Sequence, residues 1–252
     1  MKGRVVMKKP LLLVSIITTS SFLFYYTVEN SFSPLPQPTF SDVDYEVIKL
    51  APNVLLDAPL IKQMPELPRG CEVTSLAMLL QHAGVSVNKL TLAAEIQKDP
   101  TPKFVKDGKT YFGNPQVGFV GNMYTFSKPG YGVYSKPISD LAEKYLPGKI
   151  VNLSNRSFKE LQLSLTLGKP VWVVSNVTFA PLSDRYFHTW HHTDGSSTKI
   201  TMKEHSVLLT GYDDKFIYFN DPLSGKKHEK APIKDFISSW VQMGSHAISY
   251  LD

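Results

Sequence analysis

Cys71 is the only cysteine in the chain of 252 residues, and its surroundings are typical of a nucleophile. It opens the stretch CEVTSLAMLLQHA, which predicts a helix, and Gly70 comes directly before it. The unpaired N–H groups and the dipole at a helix N-terminus favour a thiolate over a thiol, and the thiolate is the nucleophilic form. Gly70 leaves room for a substrate backbone and is therefore a candidate substrate-binding residue.

A cysteine nucleophile needs a general base, and His205 is the best candidate. It stands at the start of a predicted strand, where its side chain could face a cleft. Asp221 ends the next predicted strand and could orient the imidazole, since two adjacent antiparallel strands could bring the two side chains together. Asn220 is the alternative orienting residue, but the alternation of side chains along a strand turns it to the opposite face.

The negative charge that develops on a substrate carbonyl needs two hydrogen-bond donors. The backbone N–H of Cys71 is one candidate, and the side-chain amide of Gln63, eight residues upstream, is the other. Taken alone, Gln63 would be an ordinary loop glutamine. The order of glutamine, cysteine, histidine and aspartate along the chain favours the catalytic role.

A cluster of histidines in the stretch FHTWHHTDG could bind a metal. His188, His191 and His192 could hold a zinc ion together with His205, but their spacing does not place them on one regular element. We therefore predict a polar loop near the cleft, with no metal site and no cofactor. Trp190, in the same stretch, is a candidate for packing against substrate.

These residues must be positioned by a domain in which helices come first and strands follow. We predict helices at 71–83, 89–98, 137–145 and 157–167, and strands at 170–178, 206–212, 215–220 and within 240–251. Residues 103–134 are rich in glycine and aromatic side chains and are predicted to be a long ordered loop. The segregation of helices from strands predicts an α+β fold, with a helical part that carries the nucleophile packed on an antiparallel sheet.

The N-terminal residues predict a membrane segment. Residues 10–28 carry no charge and follow a basic cluster, so they are either an uncleaved anchor or a signal peptide, with the rest of the chain outside. We favour the anchor, because no small-residue cleavage site follows the apolar run. Residues 29–53 are a proline-rich linker, and residues 54–252 are the predicted folded domain.

The net charge of +5 does not indicate a nucleic-acid partner. Four positive charges lie within the first nine residues, so the remainder carries only +1. A body so close to neutral offers no basic surface for phosphates. Nucleic acid is therefore excluded as a predicted partner.

Several stretches resemble the bacteriocin-processing (double-glycine) peptidase-like cysteine peptidases of the papain-like clan, and most closely a secreted or membrane-anchored bacterial branch. IKQMPELPRGCEVTSLAMLL is similar to the nucleophile segment, EHSVLLTGYDDKFIYFNDP to the histidine and aspartate segments, and GNPQVGFVGNMY and GYGVYSKPISDLAEKY to the recurring loop. The resemblance covers about residues 54–250. It implies a papain-like fold, with a catalytic triad and an oxyanion-assisting glutamine at Cys71, His205, Asp221 and Gln63.

We therefore expect a cell-surface or secreted cysteine peptidase that cleaves a peptide or protein substrate through a thioester acyl-enzyme. A cell-wall amidase or transpeptidase with the same triad is an alternative, since a triad does not reveal what lies beyond the scissile bond. A catalytically inactive papain-like binding domain is another, and a buried, inert Cys71 would support it. Arg69 could contact a substrate carboxylate.

Overall fold

The structure is a computed structural model that describes residues 49–252. The predicted membrane segment at 10–28 and most of the predicted linker lie outside the described residues. The helices are α1 (Cys71–His82), α2 (Lys89–Glu95), α3 (Ser135–Tyr145), α4 (Phe158–Thr166) and α5 (Ile233–Gln242). The strands are β1 (Val54–Leu55), β2 (Lys98–Asp99), β3 (Phe104–Lys106), β4 (Lys109–Tyr111), β5 (Phe119–Val120), β6 (Ile150–Asn152), β7 (Val171–Asn176), β8 (His188–His191), β9 (Ser197–Ile200), β10 (Glu204–Tyr212), β11 (Phe216–Asp221), β12 (Lys226–Pro232) and β13 (Ala247–Tyr250).

The central element is a seven-stranded sheet with the order β12-β11-β10-β7-β13-β6, in which β1 pairs with the far end of β10. Every pairing in this sheet is antiparallel, which confirms the predicted antiparallel sheet within a mixed fold of helices and strands. The predicted helices at 71–83, 137–145 and 157–167 correspond to α1, α3 and α4. The predicted helix at 89–98 is shorter, because α2 ends at Glu95 and β2 follows.

Helices cover both faces of the central sheet. Alternate side chains of β7 enter two different hydrophobic cores, as the period of two in a strand requires. Trp172 and Val174 pack with α1, α2 and α3, whereas Val171 and Val173 pack with α4 and α5. β10 pairs with β7 and is therefore also held between two layers of helices.

The nucleophile helix α1 lies deep in the first of these cores. Residues 71–80 are all buried, so the helix is enclosed on every side and not only along the one apolar face that its sequence predicts. Two hydrogen bonds tie its first turns to the sheet. The indole of Trp172 donates to the Glu72 carbonyl at 2.9 Å, and the Ser75 hydroxyl donates to the Ser206 carbonyl at 3.2 Å. These contacts fix α1 against β7 and β10.

Residues 103–134 do not form one long loop, as predicted, because they contain the short strands β3, β4 and β5. β3 and β4 join β8 and β9 in a four-stranded sheet of the order β3-β4-β8-β9. The histidine-rich stretch therefore lies on a hairpin and not in the predicted loop. Its pairing with a distant segment is a tertiary contact that the local sequence pattern does not reveal.

The C-terminal part also differs from the prediction. The strand predicted within 240–251 is present as β13, but the helix α5, which ends at Gln242 shortly before it, was not predicted. Ile233, Phe236 and Trp240 follow the helical spacing of i, i+3 and i+7 and pack in the core on the α4 side of the sheet. Since α5 follows most of the strands, helices and strands are less segregated along the chain than the prediction had them.

Within residues 49–252, no helix combines the length and the apolar character needed to cross a bilayer.

The hydrogen bond from Trp172 should hold the nucleophile helix in place. Trp172→Phe keeps most of the ring but removes the indole donor, and we expect it to lower the free energy of unfolding by about 1–3 kcal/mol. Trp240→Phe is the matched control, because the Trp240 indole is equally buried and donates to the His246 carbonyl at 3.0 Å. Urea denaturation should show a similar decrease in the free energy of unfolding for both variants. Only Trp172→Phe should change the alkylation rate of Cys71; equal effects of the two variants on that rate would contradict this positioning role.

Candidate active site

The structure places Cys71 at the first position of α1, buried but at the wall of a pocket of about 220 Å³. Gly70 precedes it, and a Cβ atom there would lie 2.5 Å from Cβ of Leu67. The Gly70 N–H donates to the Leu67 carbonyl at 3.0 Å, so the chain turns tightly before the helix. Close packing against Leu67 therefore favours glycine at position 70, in addition to any need for substrate access.

His205 and Asp221 are in direct contact. His205 Nε2 lies 2.7 Å from Asp221 Oδ1, and both side chains are buried. Burial raises the pKa of Asp221, but hydrogen bonds from His205 and from the Leu223 N–H outweigh this and leave the pKa below its ordinary value. Asp221 is therefore an anion fixed behind the imidazole. Asn220 is engaged elsewhere, since its amide donates to the carbonyls of Ala58 and Pro59.

One pocket brings the candidate residues together. Gln63, Cys71 and His205 line it together with Glu204, which was not a predicted site residue, and we call it the nucleophile pocket. Because Nε2 of His205 is occupied by Asp221, Nδ1 is the ring nitrogen that remains for proton transfer. This arrangement can support nucleophilic attack by a thiol that is assisted by a base with a fixed orientation.

The amide of Gln63 is in the nucleophile pocket but is not a free donor. Its Nε2 donates to the Pro68 carbonyl at 3.0 Å and to the Leu67 carbonyl at 3.3 Å. Its Oε1 is buried and has no hydrogen-bond partner among residues 49–252. For Gln63 to stabilise an oxyanion, the amide would have to give up the longer of these two bonds.

The electrostatic setting of Cys71 is opposite to the expectation from its helix position alone. Burial, followed by the carboxyl groups of Glu72 and Glu204, raises the pKa of the Cys71 thiol well above its ordinary value. The backbone N–H of Ser206 acts in the other direction but is the weaker influence. Cys71 Sγ donates to Glu72 Oε2 at 3.3 Å, which also favours the thiol. An isolated thiolate is therefore disfavoured in the free protein.

The acidic pair Glu72 and Glu204 was not among the predicted site residues. One ligand atom from each of Cys71, Glu72 and Glu204 lies within 4.8 Å of the others. Burial raises the pKa of Glu72 to about 7, although hydrogen bonds from backbone N–H groups, including that of Val133, partly oppose the rise. Burial and the Glu72 carboxylate raise the pKa of Glu204 well above its ordinary value. Two such groups cannot both ionise readily, so the pair keeps at least one proton at neutral pH.

A sequence signal for this pair existed. Glu72 follows the candidate nucleophile directly, and Glu204 directly precedes the candidate base. Neither residue was singled out in the sequence, because surface glutamates are common. The burial that makes the pair unusual arises only when α1 packs on β10. These two residues and Cys71 form the one group of three possible metal ligands found within residues 49–252.

The predicted histidine cluster does not converge on His205. His192 uses both ring nitrogens within the small sheet, with Nδ1 at 3.0 Å from the Phe112 carbonyl and Nε2 at 2.7 Å from the Thr198 hydroxyl. Trp190 is 3% exposed and packs edge-on against Phe112. It lines a neighbouring cavity and not the nucleophile pocket.

A family model and a solved structure both point to the C39-like peptidases. The model of the Peptidase C39-like family matches residues 55–248. The chain is 42% identical over 195 residues to the uncharacterized protein YvpB of Bacillus subtilis, a match that covers 77% of this chain and 74% of that protein. A crystal structure described as a C39-like peptidase from Bacillus anthracis has 51% sequence identity and a TM-score of 0.74, and the match covers 79% of this chain and 98% of that one.

The acidic pair should make the alkylation rate of Cys71 depend on pH. Glu72→Gln removes a carboxylate beside the thiol and supplies an amide that can donate to a thiolate, so the pKa of Cys71 should fall. Above pH 7 we expect Cys71 to be alkylated by iodoacetamide on the order of tenfold faster than in the wild type. Below about pH 5 both carboxyl groups of the wild type are protonated, and the ratio of the two rates should approach one. A ratio that does not change with pH would contradict this assignment.

The same variant should change the pH dependence of stability. The pKa of Glu72 rises from 4.5 to about 7 on folding, so the folded state holds the proton more tightly. Its contribution to stability is complete below pH 4.5 and is lost as the pH rises through about 7. Glu72→Gln has no carboxyl group to titrate and does not lose this contribution. As the pH rises from 4.5 to above 7, the free energy of unfolding of the variant should increase relative to the wild type by about 3 kcal/mol. Exposed Glu95→Gln is the control, and its melting temperature should follow the wild type at every pH.

Proposed function

We propose, on the premise that this chain belongs to the Peptidase C39-like family, that it is a cysteine peptidase with Cys71 as its nucleophile. Membership of this family supports peptidase activity. The observation that carries the residue assignment is the 2.7 Å contact of His205 with Asp221, at a pocket that His205 shares with Cys71. A base with a fixed orientation that lines the same pocket as the chain's single thiol suits nucleophilic catalysis.

The proposed reaction begins with proton transfer. His205 Nδ1 accepts the proton from Cys71 Sγ, and the thiolate attacks the carbonyl carbon of the scissile bond. The imidazolium is stabilised by Asp221, which is already ionised because its pKa is below the ordinary value. His205 then donates the proton to the leaving amine, and a thioester to Cys71 remains. Water hydrolyses the thioester with His205 as general base, and the free enzyme is restored.

The raised pKa of Cys71 makes His205 essential in this scheme. A thiolate beside buried carboxyl groups is unfavourable alone, but an imidazolium in the same pocket supplies the compensating positive charge. The thiolate is therefore expected as one half of an ion pair with His205. Protonation of Glu72 and Glu204 further favours that pair, since it removes the competing negative charges.

Two donors are proposed for the oxyanion: the backbone N–H of Cys71 and the amide of Gln63. The Cys71 N–H lies in the first turn of α1, where backbone N–H groups have no partner within the helix. Gln63 contributes only if the tetrahedral intermediate draws its amide from the Leu67 carbonyl, which holds it at 3.3 Å. Gly70 and the turn at Leu67 would set how closely a substrate backbone approaches.

We also propose that the peptidase works outside a bacterial membrane, held by residues 10–28 as a single-pass anchor or released after their removal. The basic cluster followed by the uncharged run supports this orientation. Its substrates would then be peptides or proteins of the cell surface or its surroundings.

The residue roles can be tested by alkylation, because the chain has one cysteine. In the full-length protein, iodoacetamide should label Cys71 measurably below pH 7, and His205→Ala should slow this by one to two orders of magnitude because the thiolate loses its counter-charge. Asp221→Asn should give a smaller loss, since the imidazole remains but is no longer held by an anion.

The control is His82→Ala, which removes a half-buried histidine that contacts Tyr250 and does not line the nucleophile pocket. Its labelling rate should equal that of the wild type. If His205→Ala labels as fast as the wild type at every pH, His205 is not the base, and the proposed mechanism is wrong.

A further inference from the structure

A second cavity, of about 400 Å³, adjoins the nucleophile pocket. Arg69, Phe126 and Met202 line both spaces, so a ligand bound at Cys71 can extend from one into the other. The segment 126–130, part of the glycine-rich and aromatic stretch, forms one wall. The volume is in the range of cavities that hold small ligands, and it suffices for an amino-acid side chain.

Positive charge dominates this second cavity. Arg69, Lys103 and Lys128 line it, and we call it the cationic cavity. No carboxylate is among its lining residues, and none of the three cations forms a salt bridge within the described part of the chain. Three cations around one space repel one another, and an anion bound among them would remove that repulsion.

Arg69 is held in place for such a role. Its Nη1 donates to the carbonyls of Asn122 and Thr125, and its guanidinium lies 4.8 Å from the centre of the Phe126 ring. Nε and Nη2 make no hydrogen bond to any residue in 49–252 and remain as donors. A fixed guanidinium with free N–H groups suits the planar geometry of a carboxylate.

Trp190 also lines the cationic cavity and is 3% exposed. Its indole Nε1 has no hydrogen-bond partner in the described residues, but this nitrogen has almost no solvent-accessible surface, so a ligand in the cavity does not reach it. Trp190 therefore contributes apolar wall to the cavity, and the charges of Arg69, Lys103 and Lys128 carry the argument.

The nucleophile pocket differs in charge from the cationic cavity. Arg69 is at its border, but Glu204 lines it and Glu72 lies next to Cys71, so the ionised member of the acidic pair repels an anionic group there. A substrate that carries a carboxylate is therefore directed to place it in the cationic cavity and the scissile carbonyl at Cys71. The contrast between the two spaces favours one orientation of the substrate.

We propose that the cationic cavity is a specificity subsite that binds a carboxylate of the peptide substrate. This inference rests on the proposed peptidase function and adds the substrate class, a peptide with an acidic group near the scissile bond. The carboxylate can belong to an Asp or Glu side chain or to the C-terminus of the peptide. The chemistry of recognition is the same in both cases.

The test uses three chloroacetyl dipeptides that alkylate Cys71 with loss of chloride. Chloroacetyl-Gly-Glu-amide carries a side-chain carboxylate, chloroacetyl-Gly-Gln with a free C-terminus carries a terminal one, and chloroacetyl-Gly-Gln-amide is neutral. With the full-length protein, we expect at least one anionic reagent to alkylate Cys71 on the order of tenfold faster than the neutral reagent. Which anionic reagent is faster identifies the source of the carboxylate. Equal rates for all three reagents would overturn the proposal.

Matched variants locate the effect. Lys103→Gln/Lys128→Gln removes two exposed cations of the cavity and should reduce the preference to within about twofold. Lys106→Gln/Lys109→Gln removes the same charge from exposed positions that do not line the cavity and should keep the preference. Loss of the preference in both double variants, or in neither, would contradict the assignment to this cavity.

The experiment separates this subsite from the proposed catalytic roles. If His205→Ala leaves the rate with the neutral reagent unchanged while the preference for anionic reagents persists, the subsite stands and the catalytic assignment fails. If His205→Ala slows all three reagents but their rates are equal in the wild type, the catalytic assignment stands and the subsite fails.

Discussion

The site depends on a single electrostatic constraint, which is that Cys71 is a buried thiol beside the buried Glu72 and the partly exposed Glu204. Helix position favours its thiolate, whereas burial, Glu72 and Glu204 favour the thiol, and the second set of influences is the stronger. A reactive thiolate therefore has to be made together with a positive charge, and His205 with Asp221 behind it is the group available in the pocket. Such a protein would keep its one thiol protonated, and protected from oxidation, until the imidazole takes the proton.

The fold maintains this constraint through the contact between α1 and the central sheet. α1 is enclosed by the core, so that Glu72 cannot reach water, and the Trp172 and Ser75 hydrogen bonds fix the helix against β7 and β10. β10 contributes His205 and Glu204 as neighbours on one strand, and β11 contributes Asp221 at its end. The proposed nucleophile, the proposed base and the aspartate behind it are thus positioned by three packed elements, which suits a site that needs fixed distances.

Much of this arrangement could be predicted from local sequence patterns, and the remainder could not. The helix that opens at Cys71 and the strands that carry His205 and Asp221 follow from short-range periodicity. The helical pattern of Ile233, Phe236 and Trp240 was equally readable, but the strand-forming residues that follow it obscured the boundary. The pairing of β4 with β8 and the approach of Glu204 to the buried Glu72 are long-range contacts, which no local pattern contains. The membrane segment and the catalytic roles remain predictions.

The most direct test of the account is to trap the acyl-enzyme. The full-length protein is mixed with a peptide digest, quenched in acid during turnover, and mapped by mass spectrometry. If Cys71 is the nucleophile, the peptide that contains Cys71 carries an acyl adduct. Hydroxylamine removes this adduct, as expected for a thioester, and the His205→Ala variant does not form it. Cleavage of the digest without any adduct on Cys71, and at the same rate in Cys71→Ala, would contradict the claim that this thiol is the nucleophile.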